Sequence, residues 1–371
     1  MYLFGEVANS AKRAKLQTSP SGIQKNTVFL SKIIKMKILV TGGLGFIGSH
    51  TVVELQAKGY EVVIIDNLSN TRVEVLDGIE KITGIRPQFE NIDLREKDKV
   101  ARFFEQNKDI RGIIHFAASK AVGESVEKPL LYYENNICSL TYLLQQMQKQ
   151  GIRNFIFSSS CTVYGEPDDL PITEEAPIKP ALSPYGNTKQ IGEEIIRDTA
   201  KAYPDFKAIA LRYFNPIGAH PSGHIGELPL GVPQNLIPFV TQTAAGIREQ
   251  LSVFGDDYPT PDGTAIRDYI HVVDLAQSHV VALERLMNDK NKSNFEIFNI
   301  GTGRGSSVME IIKAFEKVNN LKLNYKIIGR REGDVIAVWA DTTRAENELG
   351  WKSKLTMEDA LRDAWNWQQK L

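Results

Sequence analysis

Between residues 37 and 214 short apolar runs alternate with longer stretches of mixed polarity. The runs at 37–41, 61–66, 88–92, 112–116, 154–158 and 208–212 are rich in Val, Ile and Phe and show little polar alternation. Strands of a parallel sheet, buried on both faces, have this pattern. The stretches between them at 46–58, 97–107, 130–150 and 185–202 suit helices. Gly59 closes the first, and an Asp-Ile-Arg turn follows the second. Strand–helix alternation predicts a doubly wound α/β fold.

After 214 the pattern breaks. Pro216, Pro221, Pro229, Pro233 and Pro238 fall in one stretch with several glycines, which predicts loops and short elements. Helices follow at 272–287, 308–318 and 357–369, with strands at 295–300 and 322–328. The expected organisation is a main α/β domain at 36–214 and a smaller C-terminal α/β lobe at 215–371. Some segments of the lobe can return to the main domain. Residues 1–35 carry six Lys or Arg against Glu6 alone and have no long apolar core. They read as a loosely ordered extension ahead of Met36, or else as an organellar transit segment.

Composition narrows the function. A formal net charge of −1 gives no bulk attraction to nucleic acid or membrane. No apolar run reaches the ~20 residues needed to span a bilayer. Cys138 and Cys161 are too few for a disulfide framework or a thiolate metal site, so a reducing cytoplasm and no metal are expected.

The first strand runs into Thr41-Gly42-Gly43-Leu44-Gly45-Phe46-Ile47-Gly48. Gly42, Gly45 and Gly48 at a strand-to-helix turn let the backbone approach a pyrophosphate at the positive helix end. A tight turn can also need glycine for its own sake, but Asp66 closes the second strand. There an acid can accept from the adenosine ribose hydroxyls and repel a 2′-phosphate, which favours NAD over NADP. The fold is therefore Rossmann-type. Asp93 suits the adenine amino group, and the small Ala117 and Ala118 let a cofactor lie close to the fourth strand.

Tyr185 and Lys189 share a helix face. With 12 tyrosines, about one such pair arises by chance, and Tyr203 with Lys207 is a second. Pro204 disfavours helical geometry at Tyr203, whereas Pro184 suits a helix start before Tyr185. Tyr185 is thus the candidate acid–base. Its pKa of about 10 must fall by about three units, roughly 4 kcal/mol. One positive charge at ~4 Å supplies about that much, so Lys189 and an oxidised nicotinamide are the candidate sources. Ser160, just past the fifth strand, can hydrogen-bond the reacting oxygen, or a Ser-rich strand end can simply satisfy loop backbone.

The glycine turn, the Ser160 region, Ser183-Pro184-Tyr185-Gly186-Asn187-Thr188-Lys189 and Arg212-Tyr213-Phe214-Asn215-Pro216-Ile217-Gly218 resemble the extended short-chain dehydrogenase/reductase superfamily. Lys120-Ala121-Val122-Gly123-Glu124-Ser125, Asp256-Asp257-Tyr258-Pro259-Thr260, Arg267-Asp268-Tyr269-Ile270-His271-Val272 and Arg331-Glu332-Gly333-Asp334 resemble its UDP-glucose 4-epimerase family. The likeness spans 37 to about 370. It implies a homodimer in which tightly bound NAD carries hydride from and back to C4 of UDP-galactose or UDP-glucose. The implied catalytic residues are Tyr185, Lys189 and Ser160. Implied cofactor residues are Phe46, Ile47, Asn67, Leu94, Phe116, Lys120, Asn135 and Phe214, beside those already named. The substrate would meet Lys120, Ser160, Tyr185, Asn215, Asn235, Leu236, Val253, Phe254, Arg267, Arg331, Asp334 and Val338. Some relatives carry a bulky tyrosine at the last position, and valine leaves room for a C2 N-acetyl group. A nucleotide-sugar 4,6-dehydratase would resemble this chain but carry Asp-Glu where Cys161-Thr162 stand. A UDP-glucuronate or UDP-pentose epimerase would share most of these residues, and a non-catalytic NAD sensor would share the glycine turn.

Overall fold

The computed structural model describes residues 36–331 and 335–371. The basic leader, with its expected disorder, and Asp334 lie outside the described residues. Seven parallel strands form the central sheet: β1 (Lys37–Thr41), β2 (Glu61–Asp66), β3 (Gln88–Asn91), β4 (Ile110–His115), β5 (Asn154–Ser158), β6 (Lys207–Tyr213) and β7 (Phe295–Ile300). Their order is β7-β6-β5-β4-β1-β2-β3. The chain leaves β1 in one direction to build β2 and β3, then returns to place β4 on the other side. The carboxyl ends of β1 and β4 therefore flank the crevice where an open α/β sheet binds ligand.

Both faces of the sheet are covered, which accounts for the unbroken apolar runs. Ile38, Val40, Ile64, Ile114 and Ile156 pack on one side with Val52, Leu275 and Leu283 from the helices Phe46–Ala57 and Val272–Met287. Leu39, Val63, Ile113, Phe155 and Phe157 pack on the other with Phe104, Leu143 and Ile196. Neighbours along each strand alternate between the two cores, as the pleat requires.

The lobe has its own core, with Ile237, Val240, Val253, Ile312, Phe315 and Leu361 among its members. Segments beyond 214 do return to the sheet. Phe295–Ile300 is its seventh strand, and the Val272–Met287 helix covers it beside the first helix. Several boundaries differ from expectation. Strand β4 begins at Ile110, which is 1% exposed, so of the Asp-Ile-Arg segment only Asp109 is turn, and Ile110 and Arg111 are already strand. Residues 130–150 are not one regular helix: a wide π turn, Glu134–Cys138, separates Pro129–Tyr133 from Ser139–Gln150. The strand expected at 322–328 is shorter, Tyr325–Ile328. Among the described residues no helix is long and apolar enough to cross a membrane.

Candidate active site

The glycine turn after β1 divides its work between folding and ligand approach. Gly42 has φ of +67°, and its amide donates to the Ile65 carbonyl at 2.7 Å. A Cβ at Gly48 would lie 2.2 Å from the Gly42 carbonyl oxygen, and one at Gly42 would lie 2.7 Å from the Ala117 nitrogen. These two glycines are required by the protein's own packing. Gly45 differs: a Cβ there would meet only the Gly42 oxygen, at 3.3 Å. It is also the N-cap of the Phe46–Ala57 helix and makes no side-chain cap bond. The amides of the first turn, with Phe46 and Ile47, are thus left to an outside acceptor, which suits a pyrophosphate.

Asp66 is set where the adenosine ribose would lie. It accepts from the Leu44 amide at 3.2 Å on one carboxylate oxygen and from the Leu68 amide at 3.0 Å on the other, with the Asn67 amide close by. The carboxylate keeps a further lone pair for a hydroxyl. Burial pushes its pKa up, against these bonds. Asp93 is held by Arg95 through Nε and Nη2 and by the Asn67 amide at 3.1 Å, with Arg95 bringing its pKa to about 2. Phe116, Ala117 and Ala118 are half-buried along the crevice beyond β4, and Phe116 packs on His279 at 4.7 Å between ring centres. The Leu94 side chain is core, 4% exposed. Uncapped helix end, open Gly45 and acceptor-rich Asp66 together fit a dinucleotide without a 2′-phosphate.

Ser183 caps the Pro184–Ala202 helix by accepting from the Gly186 amide at 3.1 Å, with Pro184 in the first turn. Tyr185 is thereby fixed at the helix start, 7% exposed, with its phenol close enough to Ser160 for that hydroxyl to favour its ionised form. The Ser160 hydroxyl also accepts from the Thr162 amide at 3.2 Å and from its hydroxyl at 3.0 Å, capping the short turn Cys161–Tyr164. Lys189 donates to the Ser158 carbonyl at 2.8 Å and lies 5.8 Å from the centre of the Tyr185 ring.

The ionisation of this pair departs from expectation. Burial, with Tyr213 nearby, raises the Tyr185 pKa well above that of a free phenol, opposed by the Ser160 hydroxyl. Burial also lowers Lys189 to about 8, opposed by Glu193. Lys189 alone therefore does not bring the phenol toward neutrality, and the remaining positive charge has to arrive with a cationic cofactor.

On the lobe side, Lys120 and Asn235 converge on one carboxylate, Glu227, at 3.5 and 2.6 Å. Asn215 starts a short strand, Asn215–Ile217, beside Tyr269–His271, and its amide donates to the Asp268 carbonyl at 2.9 Å. Arg267 and Val338 are register partners in adjoining strands. Arg267 donates to the Ile266 carbonyl at 2.8 Å, and its charge acts on the Cys161 thiol, which burial pushes up to about 12. Val338, 8% exposed, packs with Val163, Tyr164 and Phe214, the wall just beyond Ser160. Arg331 lies 5.8 Å from the centre of the Phe254 ring, while Val253 is lobe core and Leu236 packs against it.

Several supporting residues escape sequence reasoning. Asn136, in the π turn, accepts from the Ser119 amide at 2.8 Å and donates to the Ser119 carbonyl and to Thr188, both at 3.0 Å. It ties the crevice edge to the catalytic helix, while neighbouring Asn135 donates to the Ser119 hydroxyl at 3.1 Å. Asp268, fully buried, accepts from the Thr302 amide and hydroxyl and from the Gly303 and Ala340 amides, bracing the loops around Arg267. Glu227 and the buried pair of Glu193 with Arg212 complete the set. For the buried charges the only sequence signal is a charge inside an otherwise apolar stretch.

Residues 39–364 match the protein family described as GDP-mannose 4,6 dehydratase. The chain is 51% identical over 334 residues to the UDP-glucose 4-epimerase of Haemophilus influenzae, covering 90% of this chain and 98% of that one. In three dimensions it resembles the UDP-glucose 4-epimerase of Stenotrophomonas maltophila with bound NAD and formylated UDP-arabinopyranose. There the TM-score is 0.87 at 45% identity, over 90% of this chain and 98% of that one. The Bifidobacterium longum enzyme in complex with NAD+ and UDP gives 0.86 at 48% identity, again over 90% and 98%. With its glycine turn, its Tyr185 beside Ser160 and its lobe residues Arg267 and Arg331 all in place, the chain belongs to the UDP-glucose 4-epimerase family.

Proposed function

We propose that this protein inverts C4 of a UDP-hexose, interconverting UDP-galactose and UDP-glucose through a transient 4-keto sugar. The observation that carries this reading is the buried Tyr185 beside Ser160, with Lys189 one helical turn on and 5.8 Å from the centre of its ring. Tyr185, aided by Ser160, takes the proton of the 4-hydroxyl and later returns it. The Gly45 turn and Asp66 would hold NAD, which would supply the hydride acceptor and, in its oxidised form, positive charge. Arg267 and Arg331 bind the diphosphate strongly, with Asn215, Asn235 and Asp334 as further UDP-sugar contacts. The sugar itself is held weakly, and its 4-keto form turns about the diphosphate link to offer its other face.

Dehydration, the activity named in the matched family description, would need a further acid and base beside Ser160. Cys161 is a half-buried thiol kept neutral by a pKa pushed up to about 12, and Thr162 donates its hydroxyl to Ser160, so neither serves. The small Val338 side chain leaves space for a C2 N-acetyl group, and we extend the substrate range to UDP-N-acetylhexosamines on that ground. We take the protein to act in the cytoplasm, where its unpaired Cys138 and Cys161 stay reduced, and as a homodimer.

Purified protein mixed with UDP-galactose and no added NAD tests the reading. UDP-glucose is the expected product. A stable 4-keto-6-deoxy sugar would show a dehydratase, and no product a sensor. Tyr185→Phe is expected to lose about 10²–10⁴ in kcat, and near-parent turnover by that variant overturns the role of Tyr185.

A further inference from the structure

The catalytic helix engages the serine run after β5 at three successive turns. Tyr185 stands beside Ser160, Lys189 donates to the Ser158 carbonyl at 2.8 Å, and Glu193 accepts from the Ser159 hydroxyl at 2.6 Å. The spacing i, i+4, i+8 sets all three on one helix face. Gly192 lets that face come close: a Cβ there would lie 2.8 Å from the Phe157 ring. Glu193 is 3% exposed and chelates Arg212, at 2.9 Å from Nε and 2.6 Å from Nη2. Arg212 in turn lies 4.7 Å from the centre of the Tyr164 ring, in the turn that follows Ser160. A buried ion pair is costly to build for stability alone, since the desolvation of both charges opposes its attraction.

We propose that Glu193 is a positioning residue for the reaction, fixing Ser160 through Ser159 and keeping Lys189 cationic from one helical turn away. This rests on the roles given above to Tyr185, Lys189 and Ser160. The tether is geometric. Ser159 is fully buried, and its hydroxyl bond to Glu193 fixes the backbone on which Ser160 is the next residue. A displacement of about 1 Å at a reacting group can cost about 10²-fold in rate. The charge effect follows from the surroundings of Lys189. On its own helix stand Tyr185 and Glu193. From β4 comes His115, which burial keeps neutral, with a pKa of about 3. From β6 come Tyr213, whose phenol burial pushes up to about 12, and Arg212, which burial opposes but Glu193 holds charged. Glu193 is the anionic partner that favours the protonated Lys189 against its burial.

Two variants separate the tether from the charge, each assayed on whichever UDP-sugar the parent inverts. In Ser159→Ala the ion pair stays intact. Its kcat should fall about 10- to 100-fold with KM within about threefold of the parent, and its pH profile should keep its alkaline limb. In Glu193→Gln a hydrogen-bond acceptor remains but the charge is lost. Lys189 then gives up its proton at lower pH, so the alkaline limb of kcat should move down by at least about half a unit. A crystal structure of Ser159→Ala reads the tether without turnover, and Ser160 should be displaced from Tyr185 in it. Should Glu193→Gln not fold, Ser159→Ala decides by rate and structure. Parent kcat and an unmoved Ser160 in Ser159→Ala overturn the proposal, as does an unmoved alkaline limb in folded Glu193→Gln. An inactive parent overturns the functional reading instead, while the crystal structure still decides the tether.

Discussion

The Lys189 ammonium donates to the Ser158 carbonyl at 2.8 Å and sits 5.8 Å from the centre of the Tyr185 ring, so it acts on the phenol through space. A positive charge at that range favours phenolate by roughly 2–3 kcal/mol at an effective dielectric of ~20, or about two pKa units. Removing it in Lys189→Met leaves the phenol harder to ionise. The acid limb of kcat should therefore move to higher pH by about one to two units. In the parent, the Lys189 pKa of about 8 predicts a fall in kcat as pH rises through that region. Profiles of kcat against pH for parent and variant check both, and coincident acid limbs would refute the electrostatic role of Lys189.

The glycines of the turn should separate by substitution. Gly48→Ala would place a Cβ 2.2 Å from the Gly42 oxygen, a backbone atom that cannot yield without breaking the turn. That variant should be destabilised by about 2 kcal/mol or more, or fail to fold. Gly45→Ala meets only a 3.3 Å contact and should fold nearly normally. Its methyl group would take up open space at the helix N-terminus where we place the pyrophosphate, so NAD recovered from the purified, denatured protein should drop. Full NAD content in Gly45→Ala would mean the cofactor does not approach at that position.

Local chemistry made much of this site legible in advance. Ser183 and Pro184 announce a helix start, which places Tyr185 in its first turn, and the glycine spacing with Asp66 locates the crevice. Residues whose meaning lies in distant partners stayed hidden. Asn136 sits in a π turn, inside a stretch whose composition suggests one regular helix, and its partners Ser119 and Thr188 are 17 and 52 residues away. Glu193 looks like one more polar residue of an amphipathic helix until β6 delivers Arg212 to it. The strand at 295–300 was legible, and so was the return of some lobe segment to the main domain, but that β7 is the strand that returns is set by its pairing with β6 across a long separation.

Acid should unfold the protein through its buried histidines. Burial holds His50 and His115 at about 3 and His279 at about 4, all below the ordinary value of 6.5. A histidine depressed in the folded state takes up a proton more readily when unfolded. The stability it contributes is complete above pH ~6.5 and is lost as pH falls toward the folded value. Three such groups give a slope of up to about 4 kcal/mol per pH unit between roughly pH 6 and 4. Urea midpoints across that range would show it, and a flat profile would exclude it. His279→Phe should lower the slope by about a third.

Val338 offers the sharpest test of substrate range. Its side chain packs with Val163, Tyr164 and Phe214 in the wall beyond Ser160, and its strand pairs with Arg267, a residue assigned to the diphosphate. Valine leaves more volume there than an aromatic side chain, and a hexose and its C2 N-acetyl analogue differ by a group of comparable bulk. The parent should therefore turn over UDP-N-acetylglucosamine within a hundredfold of the UDP-glucose rate. Filling the space in Val338→Tyr should cut the N-acetylated reaction by about tenfold or more, while the plain hexose, which needs no such room, changes by less than about threefold. Overpacking costs about 1–3 kcal/mol where a side chain is enclosed, so unchanged thermal stability would also place the new ring in the sugar pocket. Equal losses for both sugars would instead assign Val338 to the wall's packing and leave substrate choice to other residues.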